Sequence, residues 1–283
     1  MMDWIIGICI AAGVLLLLFL IYIFLVCPAQ GERQKKTAKF FEGQKYYAHR
    51  GLHDGNTGDV PENSLRAFEL ACKAGYGIEL DVHITADGKL AVFHDDTLDR
   101  MCGVSGKTES KTLAELQGLF LAGTDQHIPS FEEVLDLVAG RAVLIVEIKG
   151  ENTSDMRVCE LTAKALDGYK GKWCMESFNP FYVAWFKKNR KGAVRGQLSC
   201  KMSKDEGKKN KFLNFVLENM LLSFLCRPDF IAYNLHHRAQ PSFKMAKLLG
   251  GYPVAWTARS EQDRAVAENE GGFKAVIFEG FKV

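Results

Sequence analysis

Short apolar runs alternate along this chain with stretches in which apolar residues recur every three or four positions. The runs have the length and composition of strands, and the periodic stretches have one apolar face, as amphipathic helices do. Strands are predicted at residues 45–49, 77–83, 90–93, 142–149, 172–178, 193–198, 229–233, 252–256 and 274–278. Helices are predicted at residues 62–74, 112–119, 131–138, 155–166, 180–188, 242–249 and 261–270. Such alternation favours a parallel sheet covered by helices.

The second and third predicted strands are joined by a link too short for a parallel crossover. Residues 84–89 contain Asp87-Gly88, a tight-turn pair, so these two strands must run antiparallel. The third strand is then an excursion beside the sheet, and eight parallel strands remain. The pattern therefore predicts an α/β fold, a (β/α)8 TIM barrel, in which active residues lie at the carboxyl ends of the strands.

A separate apolar run without charge precedes the barrel and extends from Trp4 to Val26. At about 1.5 Å rise per residue, its 23 residues exceed a hydrocarbon core of about 30 Å. A signal peptide fits less well, because no basic residue precedes the run, the run is long, and no small-residue cleavage site follows it. The chain is therefore divided into a transmembrane anchor at 1–27, a polar tether at 28–43 and the barrel at 44–283.

Charge and cysteine usage indicate where the barrel resides. Arg33, Lys35, Lys36 and Lys39 follow the apolar run, whereas Asp3 precedes it, so the positive-inside rule puts the barrel in the cytoplasm. The eight cysteines include no CxxC pair, which suits a reducing compartment. A net charge of +2 argues against a nucleic-acid partner. We expect a single-pass protein of the cell membrane with a cytoplasmic barrel.

Three carboxylates fall on predicted strands of the barrel. Glu79 and Asp81 are two positions apart and share one face of a strand, and Glu147 lies near the end of the next parallel strand. Buried carboxylates this close repel each other unless a cation lies between them, and oxygen ligands suit Mg²⁺ or Ca²⁺. Internal salt bridges, such as one between Glu147 and Lys149, are the alternative for each carboxylate singly. The set of three favours one divalent metal ion.

Two histidines also follow predicted strands, so both can reach the mouth of the barrel. His49 and His94 can serve as a general base and a general acid, because the histidine pKa lies near working pH. The planar guanidinium of Arg50 suits a phosphoryl oxygen. Four of the remaining histidines are interpreted as partly buried side chains with satisfied hydrogen bonds: His83, His127, His236 and His237. His53, which lies in the glycine-rich loop, is interpreted as a solvated residue.

The chain resembles the glycerophosphodiester phosphodiesterase family in a series of motifs within residues 45–280. The motifs are Tyr47-Ala48-His49-Arg50-Gly51, Pro61-Glu62-Asn63-Ser64, Glu79-Leu80-Asp81, Val92-Phe93-His94-Asp95, Thr112-Leu113-Ala114-Glu115-Leu116, Ile128-Pro129-Ser130 and Glu147-Ile148-Lys149. Ser177-Phe178-Asn179 and Trp256-Thr257 fit more loosely. The family fold is a (β/α)8 barrel, which agrees with the strand count.

The resemblance implies a role for each matching residue and a reaction. The family hydrolyses glycerophosphodiesters to glycerol 3-phosphate and an alcohol with one divalent metal ion, here Mg²⁺ or Ca²⁺. The implied metal ligands are Glu79, Asp81 and Glu147, and the implied acid–base pair is His49 and His94. The substrate would contact Arg50, Lys149 and Trp256, with Glu62 and Asn63 as supports behind them. The expected partners are a small-molecule or lipid phosphodiester substrate and, through the N-terminal helix, the membrane; no nucleic acid is expected.

The last two strands depart from the family pattern. The family usually ends its last strand with an acidic residue and a proline, whereas this chain has Glu279-Gly280-Phe281, and Arg259 stands where an Asn commonly follows the Trp-Thr pair. We expect these departures to alter substrate contacts without touching the metal ligands or the histidines.

A lysine-rich stretch followed by an apolar stretch leaves two classes of substrate to be distinguished. Residues 201–211 carry five lysines, and residues 212–225 are mostly apolar. These apolar residues either form a barrel helix that buries them or rest on anionic lipid at a membrane surface. The second arrangement would suit a lysophospholipase D that acts on membrane lysophospholipids. A membrane-tethered barrel that only binds its ligand is the alternative outside enzymes.

Overall fold

The computed structural model describes residues 2–150, 152, 154–201 and 210–283. Within these residues a strand forms at each of the nine predicted positions, with bounds that shift by one or two residues. The strands are β1 (Tyr46–Ala48), β2 (Gly77–Ile84), β3 (Leu90–Val92), β4 (Leu144–Ile148), β5 (Trp173–Ser177), β6 (Val194–Ser199), β7 (Phe230–Asn234), β8 (Tyr252–Ala258) and β9 (Ala275–Phe278).

Eight of these strands close into a parallel barrel. The order is β1-β9-β8-β7-β6-β5-β4-β2, and the barrel closes where β1 pairs with β2. β3 pairs antiparallel with β2 outside the ring, with Val82 opposite Val92. This arrangement confirms the predicted (β/α)8 TIM barrel and its antiparallel excursion.

Helices cover the barrel and precede it. They are α1 (Met2–Val26), α2 (Glu32–Phe41), α3 (Leu65–Ala74), α4 (Asp99–Cys102), α5 (Leu113–Gln117), α6 (Phe131–Val138), α7 (Arg157–Asp167), α8 (Pro180–Asn189), α9 (Lys211–Glu218), α10 (Ser223–Cys226), α11 (Pro241–Leu248) and α12 (Glu261–Ala265), and a π-helical turn at Val266–Glu270 follows α12.

The start of α3 differs from the predicted start at residue 62. Ser64 caps the helix, because its side chain accepts a hydrogen bond from the Ala67 amide, and helical geometry begins only at Leu65. Asn63 has a φ of 55°, outside the right-handed helical region. Glu62 and Asn63 are therefore loop residues, which lets their side chains turn toward the barrel mouth.

A helix closes the amino-terminal end of the barrel, where the sequence predicted only a polar tether. Phe41, the last residue of α2, is buried; its ring stacks on Tyr252 at 4.6 Å and meets Phe230 edge-on at 5.3 Å. Arg33 of the same helix forms an ion pair with the buried carboxylate of Asp229. The prediction of a plain tether is wrong for Glu32–Phe41, because one aromatic residue in a polar segment becomes an anchor once the barrel supplies a pocket for it.

The first helix is long and apolar enough to cross a bilayer. Its window Trp4–Val26 has a mean hydropathy of 3.1 and is not buried against the barrel, although a signal sequence near the N-terminus would meet the same criteria. Its last turns contact the barrel through Phe24, whose ring lies 5.6 Å from that of Phe224. The Arg227 guanidinium donates to the carbonyl oxygens of Phe24 and Cys27.

Candidate active site

A row of carboxylates crosses neighbouring strands at the carboxyl end of the barrel. Asp81 on β2 is in register with Glu147 on β4, and Glu79 lies two residues earlier on β2. All three side chains are buried, and one ligand atom from each falls within a group whose members lie within 4.8 Å of one another. A cation placed among them would contact three oxygen ligands, which is the donor set that Mg²⁺ and Ca²⁺ prefer.

Burial and mutual repulsion shift the pKa values of these three carboxylates in different directions. Burial raises the pKa of Glu79 well above its usual range, and the negative charges of Asp81 and Glu147 raise it further. Burial also raises the pKa of Glu147, although Lys149 opposes that shift. Asp81 differs, because Lys149, His94 and Arg50 outweigh its burial and hold its pKa well below the usual range. Three buried carboxylates with oxygen ligands this close together fit a divalent ion.

Two cationic side chains flank the carboxylates. The Lys149 ammonium lies 2.7 Å from Glu147 and 3.1 Å from Asp81, and these partners raise its pKa although burial alone would lower it. The Arg50 amide donates to Glu79 at 3.0 Å, and its guanidinium donates to Glu62 at 2.7 Å. Arg50 Nε is buried and lies 3.6 Å from Asp81 Oδ2, beyond hydrogen-bond distance. It has no hydrogen-bond partner among the described residues and can therefore donate to an anionic oxygen.

The turn that carries His49 and Arg50 depends on Gly51. Gly51 has a φ of +82°, and a Cβ there would lie 2.8 Å from the Cβ of Ala67 in α3. Both the left-handed backbone and the close approach to α3 require glycine. Gly51 thus lets the chain reverse just after β1, so that two successive side chains lie at the barrel mouth.

His49 is bound by a carboxylate from the last strand. Its Nδ1 forms a short hydrogen bond with Glu279, which lies directly after β9, and its Nε2 lies 3.9 Å from Glu79. Since a carboxylate only accepts, Nδ1 carries the proton and Nε2 is the acceptor. Burial lowers the pKa of His49 to about 4, with the charge of Arg50 acting in the same direction and Glu279 opposing both. His49 is therefore neutral at ordinary pH and able to accept a proton at Nε2.

The end of the last strand contacts this histidine through Glu279, which also binds Arg259. Glu279 accepts hydrogen bonds from both His49 and Arg259. The expectation that these positions would leave the histidines untouched is wrong for Glu279, because barrel closure pairs β9 with β1 and brings residue 279 beside residue 49. Sequence separation concealed this contact, although an acid at the end of the last strand was visible.

His94 is held in the same manner by its neighbour in the chain. Its Nδ1 donates to Asp95 at 2.6 Å, and Arg100 donates to the other oxygen of that carboxylate, also at 2.6 Å. Burial opposes these contacts, yet His94 and Arg100 hold the pKa of Asp95 well below its usual range. Asp95 belongs to a motif found in the sequence, where it received no role. Each histidine thus has one nitrogen fixed by a carboxylate and the other free to react.

Glu62 and Asn63 contact the charged residues of the mouth. Glu62 accepts from Arg50 at 2.7 Å and from Arg100 at 2.6 Å, so it links the two halves of the mouth. Burial alone would raise the pKa of Glu62, but its hydrogen bond with Arg100 and the charge of Arg50 lower it to about 2. Asn63 Nδ2 donates to Asp81 at 2.8 Å. These contacts orient Arg50 and Asp81.

The open space of the mouth lies between the charged row and an aromatic wall. A cavity of about 540 Å³ is lined by His94, Glu147, Lys149, Phe178 and Trp256, among others. Phe178 and Trp256 meet edge to face with ring centroids 5.5 Å apart. The Trp256 indole nitrogen is buried and has no hydrogen-bond partner within the described chain. Trp256 is therefore positioned to contact a ligand in the cavity.

The sequence analysis gave no role at the site to two further titratable residues, Glu176 and His53. Glu176 on β5 is in register with Glu147 and only 1% exposed; burial and the charge of Glu147 raise its pKa well above the usual range. The side chain of His53 is 6% exposed and lies 3.9 Å from Glu279, so its interpretation as a solvated residue is wrong. Neither belongs to a motif, and both positions depend on how the barrel closes.

The second half of the predicted substrate-selecting segment lies beside the cavity. Residues 202–209, which hold most of its lysines, lie outside the described residues. In α9, Asn214 and Leu217 line the cavity, whereas the large apolar side chains on the other faces of the helix are exposed: Phe212, Leu213 and Phe215. Of the two arrangements considered for residues 212–225, a barrel helix that buries them all is therefore wrong for α9.

Comparisons with known proteins identify a family and a fold. The sequence model of the Glycerophosphoryl diester phosphodiesterase family matches residues 49–279. A glycerophosphodiester phosphodiesterase of Bacillus altitudinis is 39% identical over 120 residues, which is 38% of this chain and 46% of that protein. One from Caldanaerobacter subterraneus is 34% identical over 148 residues, which is 48% of this chain and 60% of that protein. The chain thus spans about half the length of the curated relatives it matches.

Solved structures agree on the barrel. An Oleispira antarctica phosphodiesterase, solved with the product sn-glycerol-3-phosphate, superposes with a TM-score of 0.66 at 22% identity and covers 83% of this chain and 92% of its own. A glycerophosphodiester phosphodiesterase from Thermotoga maritima superposes with a TM-score of 0.61 at 23% identity, over 84% and 95% of the two chains. At these identities the likeness establishes the fold.

Proposed function

This chain belongs to the glycerophosphoryl diester phosphodiesterase family, and we propose that it hydrolyses glycerophosphodiesters to glycerol 3-phosphate and an alcohol. One observation carries the proposal: a single mouth holds three clustered carboxylates, two cations and two histidines whose Nδ1 atoms are each bound by a carboxylate. That combination supplies a divalent-ion site, an anion site and a proton acceptor and donor, which are the groups that phosphodiester cleavage requires.

The residues divide the reaction between them. Arg50 Nε and the Lys149 ammonium bind the nonbridging oxygens of the phosphate and hold the phosphorus near the histidines. Glu79, Asp81 and Glu147 would hold one Mg²⁺ or Ca²⁺ ion. When bound, that ion lowers the pKa of the glycerol hydroxyl next to the phosphoester carbon. Neutral His49 accepts the proton of this hydroxyl at Nε2, and the freed oxygen attacks phosphorus to form a cyclic phosphate.

The second histidine supplies the proton that the leaving alcohol needs. His94 donates a proton to the leaving alcohol, while Asp95 stabilises the imidazolium that precedes this step. A water molecule then opens the cyclic phosphate, with the histidines exchanging roles as base and acid. Glu62 and Asn63 keep Arg50 and Asp81 in place throughout, and the Trp256 indole packs on the substrate.

The test uses the full chain in detergent with glycerophosphocholine as substrate. Release of glycerol 3-phosphate is measured after metal removal, after addition of Mg²⁺ or Ca²⁺, and with His49→Ala. General acid–base catalysis of this kind contributes about 10²–10⁴-fold, so His49→Ala should lose activity by that order. His127→Ala, a histidine paired with Glu133 away from the mouth, is the matched control and should retain full activity.

Two outcomes would contradict the proposal. Metal-independent release would remove the role of the carboxylate row, and unchanged activity of His49→Ala would remove the base. If the wild-type chain releases nothing from soluble diesters or from lysophospholipids, the chain is a barrel that only binds its ligand.

A specific observation favours lysophospholipids as a second class of substrate. Phe212 and Phe215 are exposed on α9, the helix that also lines the cavity, so a lipid surface could contact the helix at the mouth. The double variant Phe212→Ser/Phe215→Ser should slow alcohol release from lysophosphatidylcholine micelles and leave release from glycerophosphocholine unchanged. Leu248→Ser, equally exposed but on α11, is the control. Equal losses on both substrates would exclude the lipid role.

We also propose that α1 crosses the cell membrane once and that the barrel lies in the cytoplasm. The hydropathy of α1 supports the span, and the basic residues of α2 support the orientation by the positive-inside rule. In sealed right-side-out vesicles, added protease should leave the barrel intact; in inside-out vesicles it should degrade it. The reverse pattern would put the barrel outside.

A further inference from the structure

The mechanism above leaves one buried carboxylate at the site without a role. Glu176 continues the row of Asp81 and Glu147 onto β5, with its backbone in register with Glu147. It lies outside the group of ligand atoms within 4.8 Å of one another, which contains only Glu79, Asp81 and Glu147 among the described residues. Glu176 is therefore one strand too far along the barrel to join the same ion directly.

One of the two carboxyl oxygens of Glu176 lacks a hydrogen-bond donor among the described residues. Glu176 Oε2 is buried and has no hydrogen bond to any of the described residues. On the next strand its register partner is Gly196, which has no side chain; a Cβ there would lie 2.2 Å from the ring of Phe230. A buried carboxyl oxygen without a donor is costly, and a hydroxyl of a bound molecule can supply that donor.

Glu176 also lines a pocket at the mouth of the barrel. Glu176 lines the floor of the mouth together with Arg50, Glu79 and Lys149, the residues assigned above to the phosphate and the ion. Apolar side chains also line this pocket, including Phe178, Leu198 and Ile277. A polyol fits such a pocket, because its CH groups can pack on the apolar side chains while one hydroxyl donates to the carboxylate.

We propose that Glu176 accepts a hydrogen bond from the terminal hydroxyl of the glycerol moiety and so selects glycerol over diols that lack this hydroxyl. The inference rests on the proposed function, and it assigns a substrate contact to a residue outside the metal and histidine set. The attacking hydroxyl belongs near His49 and the three clustered carboxylates. The terminal hydroxyl lies one carbon away from the attacking one. Glu176 lies one strand away from Glu147, so this terminal hydroxyl is the donor that Glu176 can reach.

The test compares two substrates that share the same reacting atoms. Glycerophosphocholine has the terminal hydroxyl; the phosphocholine diester of 1,2-propanediol keeps the attacking hydroxyl and lacks the terminal one. Choline release reports kcat/KM for both substrates in the full chain with metal present. The wild type should prefer the glycerol diester by about threefold to tenfold, the range of one net hydrogen bond.

Substitution should remove that preference without removing the reaction. In Glu176→Ala the two kcat/KM values should converge, mainly through loss on the glycerol diester. Glu176→Gln keeps an acceptor oxygen and should fall between the wild type and the alanine variant, which also covers the case in which Glu176→Ala folds poorly. Leu198→Ala in the same pocket is the matched control and should weaken both substrates by the same factor.

Three results would overturn the inference. An unchanged preference in both Glu176 variants would show that the hydroxyl does not contact this residue. Weaker Ca²⁺ or Mg²⁺ binding by Glu176→Ala in calorimetry without substrate would make it a residue of the metal site instead. A wild type that cleaves both diesters equally would leave the proposed function standing and remove the glycerol selection, whereas failure to cleave either would remove both.

Discussion

The two ends of the barrel are built from the same eight strands and hold opposite kinds of side chain. At the amino-terminal end, Phe41 packs on Tyr252 and Phe230, and the buried acid Asp229 is paired with Arg33 and Arg195. At the carboxyl end, the row from Asp81 to Glu176 places four carboxylates together with fewer cations, and burial raises the pKa of most of them. One end satisfies its charges within the protein; the other leaves charges for a ligand.

This difference separates residues that stabilise the fold from residues that act. At the closed end, removing a side chain leaves a cavity or an unpaired charge, so stability should fall and chemistry should remain. At the open end, removing a carboxylate relieves repulsion, so chemistry should fall and stability should remain. Each of the following experiments tests whether the two ends are as independent as their contacts indicate.

The largest effect is expected from Glu79→Gln at the open end. Loss of one ion ligand should lower phosphodiesterase activity by about a thousandfold, since the ion contributes several kcal/mol to the transition state. The unfolding temperature of the metal-free protein should stay the same or rise, because one of three mutually repelling carboxylates is gone. Calorimetric metal titration and thermal unfolding measure the two quantities. A large fall in stability with unaltered metal affinity would make Glu79 structural.

The closed end is tested with Phe41→Ala. Loss of a fully packed aromatic ring should lower the free energy of unfolding by about 3–5 kcal/mol, while kcat in the remaining folded protein stays unchanged. Phe40→Ala, its half-buried neighbour on α2, is the control and should cost less. Denaturant unfolding in detergent and activity at saturating substrate are the measurements. A comparable loss of kcat would show that the closed end influences the mouth.

Glu279→Gln tests the residue that links the last strand to His49. Glutamine keeps an acceptor for Nδ1 but removes the charge, so kcat should fall about tenfold to hundredfold with little change in KM. Because Glu279 raises the pKa of His49, its neutralisation should lower that pKa further and move the acid limb of the rate profile to lower pH. Glu270→Gln on the surface should change neither quantity. An acid limb that moves to higher pH would contradict the proposed coupling.

The smallest effect is a pH dependence that originates at Glu62. Its pKa is about 2 in the folded protein, below the ordinary value of 4.5, so it adds stability above pH 4.5 that is lost as the pH falls toward 2. Between pH 7 and pH 4 the wild type should lose about 1 kcal/mol more unfolding free energy than Glu62→Gln does. Parallel pH curves for the two proteins would show that the contacts of Arg50 and Arg100 with Glu62 add no stability.

Much of the open end could be predicted from local sequence. His49, Glu79, Asp81, His94 and Glu147 each follow or lie on a recognisable strand, and parallel strands bring their carboxyl ends to one mouth. The antiparallel excursion was also local, since a short Asp-Gly link permits no other pairing. The roles of these residues stay proposals, but their proximity follows from strand order alone.

The remaining contacts required the closed barrel. Glu279 contacts His49 only because β9 pairs with β1 across the whole length of the chain, and Glu176 joins the carboxylate row only through its register with β4. Phe41 anchors α2 only because closure creates a pocket under the strands. Sequence periodicity determined which segments are strands and which faces they bury, since that depends on near neighbours. Tertiary structure alone decided which distant side chains share a wall of the mouth, because register and closure are properties of all eight strands together.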